Sequence, residues 1–114
     1  MPYLAIQTNI EVEQNTTTDL LSKISSSLAQ ILNKPEHYVM VALHTGTNMV
    51  FAGSDAPLAY LELKSLGLPE EETAAFSHAL CTLIGQVLGI EKERIYIEFS
   101  SPARHMFGWN GQTF

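Results

Sequence analysis

The sequence repeats itself at an offset of 56 residues, and this repeat restricts the chain to few folds. Residues 30–34 (QILNK) align with residues 86–90 (QVLGI). At the same offset, and without a gap, residues 39–41 (VMV) align with residues 95–97 (IYI). In each copy an apolar run typical of a strand precedes a segment with helical periodicity, and a second apolar run follows it. The repeat therefore predicts a duplicated strand-helix-strand unit.

The first copy has recognisable limits. Residues 2–8 carry apolar side chains on both faces of a strand. A threonine cap at Thr18 is followed by apolar residues at helical spacing, which predicts a helix. We expect that helix to end at Asn33, since asparagine tolerates the left-handed conformation and Pro35 prevents continuation. A second strand is predicted over residues 37–43.

The second copy follows the same plan. Residues 57–63 are predicted to form a strand that proline opens, as in the first copy. Pro69 and the three glutamates after it predict the first turn of a long helix, where the helix dipole favours carboxylates. Gly89 is expected to end this helix. The apolar run at residues 95–97 then forms the last strand.

Two parallel βαβ units predict an α/β (α+β) fold, with one four-stranded sheet and both helices on one face. The 114 residues, 46% of them apolar, are enough for a single domain over residues 1–114. With strands apolar on both sides, the bare sheet face would expose a larger apolar patch than soluble monomers carry. We therefore expect an oligomer whose sheets pack inward, and an aromatic tail, residues 107–114, that adds an edge strand to a neighbour.

Charge and composition argue against several classes of function. The net charge is -6 and lysine and arginine form no cluster, so we expect no nucleic-acid partner. No stretch approaches the roughly 20 apolar residues of a membrane span, and no signal peptide is evident, so we expect no membrane association. The cytoplasm is the expected compartment, and export without a signal peptide is left open. The single cysteine, Cys81, is interpreted as a buried small apolar residue, and the histidine spacing suggests no metal site.

Pro2 has the most distinctive chemistry in the chain. Removal of Met1 would expose a secondary amine, and burial would lower its pKa from the α-amino reference of about 7.7 to 8 towards neutrality. Such an amine can act as a base. With Met1 retained, the Pro2 nitrogen is a tertiary amide without basicity. The alternative is purely structural, because proline is tolerated at the first residue of a strand.

Several motifs, in matching order and spacing, resemble the macrophage migration inhibitory factor family of the tautomerase superfamily. They are Met-Pro before the first strand, LAQ and NKP within residues 28–35, KSLG at 64–67, RIYI at 94–97 and GWN at 108–110. The resemblance covers nearly the whole chain. It implies a homotrimer of duplicated βαβ units with a pocket at each subunit interface. It also implies an isomerase, a keto-enol tautomerase of phenylpyruvate-like substrates that uses the N-terminal proline as base, without metal or organic cofactor.

The resemblance also implies the site residues. Pro2 would be the catalytic base, Lys34 would bind the substrate carboxylate, and the phenol of Tyr96 would donate to the oxygen on which enolate charge develops. The positions that match the pocket wall are Leu66, Tyr38, Phe107 and Trp109. Considered without the resemblance, Lys34 is interpreted as a solvated cation near a helix end. Tyr96 and the wall residues are equally compatible with plain packing.

The chain departs from the family pattern at Glu98, where the family commonly has asparagine. A carboxylate close to the Pro2 ammonium would raise the pKa of that amine, and it would repel an anionic substrate or pair with Lys34. We therefore expect weak tautomerisation of phenylpyruvate, and a faster Glu98→Asn variant. Ser100 replaces a tyrosine of the animal proteins, so the substrate range is open.

Two other functions stay open. In one, a superfamily lyase or hydratase, Pro2 remains protonated and acts as an acid while Glu98 activates water. In the other, the chain is a cytokine-like ligand that binds a protein receptor and has little catalytic activity. Thiol-disulfide activity is not expected, because Leu58 and Leu61 occupy the positions of the family's Cys-x-x-Cys motif.

Overall fold

The computed structural model describes residues 1–114. The main strands are β1 Tyr3–Thr8, β2 Met40–His44, β3 Ala59–Lys64 and β4 Ile95–Ser100. They form one sheet in the order β2-β1-β3-β4. β1 is parallel to β2 and β3 is parallel to β4, and the two pairs meet where β1 runs antiparallel to β3. The predicted pair of parallel βαβ units is therefore confirmed.

The backbone also confirms the repeat at an offset of 56 residues. β3 begins and ends 56 residues after β1, at 59 against 3 and at 64 against 8. The 3-10 turns Glu36–Tyr38 and Lys92–Arg94, which lead into β2 and β4, are separated by the same offset. The residues that end the two long helices are left-handed, with φ of 53° at Asn33 and 69° at Gly89. Asparagine and glycine adopt this conformation at lowest cost, so both predicted helix ends are confirmed.

The first long helix, α1, spans Gln14–Leu32 and starts earlier than the predicted cap at Thr18. Its N-cap is Glu13, whose carbonyl oxygen accepts hydrogen bonds from the hydroxyls of Thr16 at 2.9 Å and Thr17 at 3.0 Å. Threonine hydroxyls that bond back to the preceding turn are compatible with helix. The polar segment therefore forms the first turn of the helix and does not precede it.

The second long helix, α2, spans Thr73–Leu88, and its start also differs from the prediction. Glu70–Glu72 form a 3-10 turn, in which the backbone N–H of Glu72 donates to the Pro69 carbonyl at 3.0 Å. The three carboxylates consequently lie just before α2 and not in its first turn. A 3-10 turn commonly precedes a helix in this way, and the sequence pattern does not distinguish the two.

Strands β2 and β3 begin two or three residues later than the sequence predicted, at residues 40 and 59. β2 starts at Met40 because the chain before it forms a 3-10 turn, in which Tyr38 N–H donates to the Pro35 carbonyl at 3.1 Å. β3 starts at Ala59, two residues after Pro57. Tyr38 therefore lies on a turn at the end of the sheet and not in the ladder.

The hydrophobic core lies between the sheet and the two helices. Every second strand residue and the apolar stripe of each helix contribute to it, as strand and helix periodicity require. Its completely buried members are Leu4, Ile6, Leu61 and Leu63 from the central strands and Ile24, Leu28, Leu80 and Ile84 from the helices. Each such side chain contributes about 1.5 to 3 kcal/mol of burial free energy. Neither long helix has the length and apolar character needed to cross a membrane.

The opposite face of the sheet is of mixed polarity, which corrects the expectation that the strands are apolar on both sides. Side chains alternate between the two faces of a strand, and the second face presents Gln7 beside Tyr60 and Ala5 beside Glu62. The exposed Glu98 of β4 lies on the same face. The apolar-patch argument therefore does not by itself predict an oligomer.

The aromatic tail folds back on itself. Its strands, β5 Gly108–Trp109 and β6 Gln112–Thr113, form an antiparallel hairpin. The turn residues Asn110 and Gly111 both have positive φ, 54° and 75°, and Asn-Gly is the sequence most favoured in such two-residue turns. The tail strands therefore pair with each other, and an added contact to a neighbouring subunit stays a prediction.

Candidate active site

Pro2 is buried immediately before β1. Its carbonyl oxygen accepts a hydrogen bond from the backbone N–H of Met40 at 3.0 Å, so the contact between the first two strands extends to Pro2. Proline has no N–H to donate, and this position at the end of the ladder does not require one. The backbone therefore holds Pro2 at a fixed place at one end of the sheet.

Pro2 lines one of two cavities that share lining residues, and together we call these cavities the Pro2 site. The larger has a volume of about 370 Å³ and is lined by Met1, Lys34, Pro35, Tyr38, Leu66 and Arg104, among others. The smaller, of about 210 Å³, includes Met1, Pro2, Tyr38, Phe107 and Trp109 in its lining. Met1 and Tyr38 line both cavities and therefore stand between them.

The fold brings most of the predicted site residues to this place. Those that line one or both cavities of the Pro2 site are Pro2, Lys34, Tyr38, Leu66, Phe107 and Trp109. Lys34 is placed by the left-handed Asn33, because the chain turns there and the backbone N–H of Lys34 donates to the Ala29 carbonyl at 2.9 Å. The 3-10 turn that follows brings Tyr38 to the same side.

Aromatic side chains form much of the wall of the Pro2 site. The rings of Tyr38 and Trp109 meet edge to face, with centroids 6.0 Å apart. Trp109 stacks on Phe114 at 6.2 Å, and Phe114 lies 6.1 Å from Phe107. These are the distances at which aromatic pairs attract each other. The hairpin of the tail therefore supplies a rigid apolar wall.

The Pro2 site is locally positive although the chain is acidic. Lys34 and Arg104 line the larger cavity, and no aspartate or glutamate lines either cavity. Burial, and secondly the Lys34 ammonium, lower the pKa of the Met1 amino group from its ordinary value. Both causes disfavour a further positive charge at this end of the chain. The arrangement suits an anionic ligand next to a neutral amine.

Tyr96 and Glu98 lie elsewhere in the protomer and line neither cavity of the Pro2 site. Tyr96 is aligned through Tyr60 with Gln7, at the far end of β1. The separation from Pro2 is therefore roughly 16 Å along the strand direction and about 10 Å across two strand spacings. Within its own chain, Tyr96 cannot reach a substrate that contacts Pro2.

The surroundings of these two residues differ from those of Pro2. The ring of Tyr96 lies 4.7 Å from that of Phe51, and both line a cavity of about 530 Å³ whose other lining residues are apolar apart from Tyr60. Glu98 is aligned through Glu62 with Ala5, which lies near the middle of β1. Burial, followed by the Glu98 and Glu62 carboxylates, raises the pKa of the Tyr60 phenol. Glu98 thus acts on the sheet face in its own protomer and not on the Pro2 amine.

Arg104 is the notable residue of the Pro2 site that sequence reasoning missed. It begins the 3-10 turn Arg104–Met106, shortly before the tail hairpin. The only signal in the sequence is a cation close to the Gly-Trp-Asn motif at residues 108–110. That signal is weak, because an arginine in a loop is usually solvated.

The similarities to known proteins agree with the fold. The macrophage migration inhibitory factor family model matches residues 1–114. The chain is 37% identical over 115 residues to a macrophage migration inhibitory factor homolog of Brugia malayi, which covers 100% of this chain and 99% of the relative. It is 33% identical over 113 residues to D-dopachrome decarboxylase-B of Xenopus laevis, and the match covers 97% of this chain and 95% of the relative.

A solved structure shows the same architecture. The macrophage migration inhibitory factor homologue from Prochlorococcus marinus superimposes with a TM-score of 0.89 at 41% identity, and the match covers 98% of each chain. Both the sequence and the backbone are therefore matched over nearly their full length. The chain belongs to the macrophage migration inhibitory factor family.

Proposed function

We propose that this protein is a keto-enol tautomerase of phenylpyruvate-like α-keto acids, with Pro2 as the general base after removal of Met1. The observation that carries the proposal is that buried Pro2 lines a cavity adjoining a second one lined by Lys34 and Arg104, with no aspartate or glutamate in either lining. Membership of a family that includes a protein named D-dopachrome decarboxylase-B supports an enzymatic role. The proposal requires no metal or organic cofactor.

The base follows from the electrostatics of the chain terminus. Burial and Lys34 lower the pKa of the amino group while it belongs to Met1. After removal of Met1 the free nitrogen belongs to Pro2, which is buried, and we expect burial and Lys34 to act on it in the same direction. A neutral secondary amine can then take a proton from the carbon next to the keto group. The enolate oxygen receives a proton in exchange, so the substrate is isomerised without net change in composition.

Removal of Met1 would also open space for the substrate. Because Met1 lines both cavities, its loss would join them into one space beside Pro2. Lys34 would bind the substrate carboxylate. The aryl group would lie against the apolar wall, to which Leu66, Phe107 and Trp109 belong. A joined volume of several hundred cubic ångströms is typical of small-molecule sites.

We further propose a homotrimer in which a neighbouring subunit completes each site. Tyr96 lies too far from Pro2 in its own protomer to act with it. A closed three-fold arrangement with the sheets facing inward would instead bring it to the Pro2 of the next subunit. The large exposed side chains, Met40 at 65%, Val50 at 70% and Tyr96 at 64% exposure, are available for such contacts. Light scattering should then give a mass about three times the 12.6 kDa of one chain.

In this trimer Glu98 would accompany Tyr96 into the site. Its carboxylate would stabilise the Pro2 ammonium and so raise the pKa of the amine. Less free base would be present at neutral pH, which is why we expect weak tautomerase activity. If Pro2 instead acts as an acid in a lyase or hydratase, its rate falls as pH rises, whereas the rate of a base falls as pH falls. A pH-rate profile separates the two.

A second candidate function is that of a protein ligand. The observation that favours it is that curated relatives carry the name macrophage migration inhibitory factor. A ligand keeps the fold but does not need the amine of Pro2. Receptor or cell binding that survives the Pro2→Gly substitution would support this role, and binding lost together with catalysis would contradict it.

The experiment that tests the enzymatic proposal combines mass spectrometry with turnover. Intact mass establishes removal of Met1, and an alkylating α-keto acid analogue is then added. We expect one label on Pro2, and phenylpyruvate enolisation that decreases as labelling proceeds. Cys81 is the competing nucleophile, but burial raises the pKa of its thiol, so it should react more slowly. A processed protein that neither enolises phenylpyruvate nor labels at Pro2 would contradict the proposal.

A further inference from the structure

We propose that Arg104 is a second anion-binding residue of the Pro2 site. The preferred substrate is accordingly an α-keto acid with a second carboxylate at the far end of an apolar body. The assignment of a keto acid rests on the proposed function of Pro2. The binding of a dianion by Lys34 and Arg104 does not, and it can be measured separately.

The first argument is that Lys34 and Arg104 line the same cavity. The chain has 6 lysines and arginines against 12 aspartates and glutamates, so cations are the scarcer kind of charge. Two of them face one cavity of about 370 Å³, together with the chain terminus at Met1. No aspartate or glutamate side chain lines that cavity.

The second argument is that the exposed Arg104 guanidinium makes no hydrogen bond within the protomer. Every hydrogen bond that an arginine side chain makes in this protein comes from Arg94. The backbone of Arg104 is nonetheless fixed, because its carbonyl accepts from Phe107 N–H at 3.2 Å and Met106 N–H donates to the Ala103 carbonyl at 2.8 Å. A guanidinium on such a turn can bind a carboxylate through two parallel hydrogen bonds.

The third argument concerns the other side chains that line this cavity. The remaining side chains of this cavity are mainly apolar, among them Pro35, Leu66 and Phe114. A ligand whose single carboxylate binds Lys34 leaves Arg104 unpaired. A ligand with a carboxylate at each end of an aryl or alkyl body satisfies both and covers the apolar surface as well. The second carboxylate therefore adds a charge-assisted interaction that phenylpyruvate lacks.

The test compares two substrates that differ by one carboxylate, phenylpyruvate and (4-carboxyphenyl)pyruvate, with protein that has lost Met1. We expect kcat/KM to be at least about tenfold higher for the dicarboxylate, since a hydrogen bond to a charged group contributes about 1.5 to 3 kcal/mol. Arg104→Gln should remove most of this preference, chiefly through KM. Arg104→Lys should keep part of it, because it retains the charge but not the planar pair of donors. His105→Gln, on the same turn but outside the cavity lining, is the matched control.

Binding of inert ligands keeps this result separate from the enzymatic proposal. Calorimetry with cinnamate and 4-carboxycinnamate requires no turnover, and we expect the dianion to bind about tenfold or more tightly in an Arg104-dependent manner. That outcome together with absent catalysis would contradict the role of Pro2 and support the dianion site. Equal binding of the two ligands, or an Arg104→Gln effect of the same size on both, would overturn the dianion site.

Discussion

The two halves of the repeat place different side chains at equivalent points of one backbone. The equivalent residues, at an offset of 56, are Pro2 and Leu58, Lys34 and Ile90, and Tyr38 and Arg94. Leu58 and Ile90 are buried, with 3% and 4% exposure. The cavity beside Leu58 is lined by uncharged residues, apolar apart from two tyrosines, whereas the larger cavity of the Pro2 site is lined by two cations. At these equivalent points the second half of the repeat therefore has buried apolar side chains, whereas the first half has a site with charged side chains.

The two arginines show the same contrast. Arg94 donates to the carbonyl oxygens of Phe51, Ser54, Ala56 and Pro57 at 2.9 to 3.1 Å, and its guanidinium lies 5.3 Å from the centre of the Phe51 ring. It fixes the loop that leads into β3. Arg104 makes no comparable bond. A cation that is saturated by backbone carbonyls stabilises the fold, and one without partners is available to a ligand.

The largest effect should follow from changing the proposed base. We expect Pro2→Gly to lower phenylpyruvate enolisation about 100-fold or more, in line with the usual contribution of a general base. Glycine also permits removal of Met1, so the processed terminus is preserved, and intact mass verifies it. Pro69→Ala, which changes a proline outside the Pro2 site, should keep its activity. A Pro2→Gly variant with more than about a tenth of the normal rate would contradict the contrast between the two halves.

The next effect concerns stability. Arg94→Ala should lower the free energy of unfolding by about 2 to 3 kcal/mol, because four carbonyls lose a charged donor, although the exposed ones regain water. Arg104→Ala should change it by no more than about 0.5 kcal/mol. Denaturant unfolding at one fixed protein concentration measures both. Equal losses in the two variants would show that the arginines do not differ in role.

A smaller effect is expected at Glu98. Replacing it by asparagine removes a carboxylate that would stabilise the Pro2 ammonium in a trimer, so the pKa of the amine falls and more free base is present at neutral pH. We expect kcat/KM for phenylpyruvate to rise about two- to tenfold, since one pKa unit changes the free-base fraction by up to tenfold. Initial rates at pH 7 measure this. Unchanged or slower turnover would exclude Glu98 from the site.

The smallest effect is a shift in pKa at the chain terminus. In protein that retains Met1, the Lys34 ammonium contributes to the lowered pKa of the amino group. Lys34→Gln removes a neighbouring positive charge, which favours the protonated amine, so its pKa should rise. It should still stay below the ordinary value, because burial is the larger cause. The pH dependence of reductive methylation measures the shift. Lys23→Gln, on an exposed part of α1, should cause none.

Much of the fold could be predicted from local rules. The 56-residue offset, the left-handed ends at Asn33 and Gly89, and the two parallel units all follow from periodicity and capping. The residues at which the helices and strands begin were less predictable. Thr16 and Thr17 bond back to Glu13 and so belong to α1, although polar residues of this kind also occur in loops. The sequence pattern is the same in both cases, and only the backbone geometry distinguishes them.

By itself, the sequence determined which chemical groups are present and how the strands alternate: a proline that removal of Met1 would free, a lysine after a helix end, and a tyrosine and glutamate on one face of β4. The tertiary structure decided which of these groups meet. The order β2-β1-β3-β4 places Lys34 in the lining of the Pro2 site and separates Tyr96 from that site. The tertiary structure also places Arg104 in the lining of the Pro2 site and joins Arg94 by hydrogen bonds to the loop before β3. The physical reason is the sequence separation over which each effect acts. Helix capping and strand alternation involve residues a few positions apart, whereas a cavity forms where strand pairing joins segments that are distant in sequence.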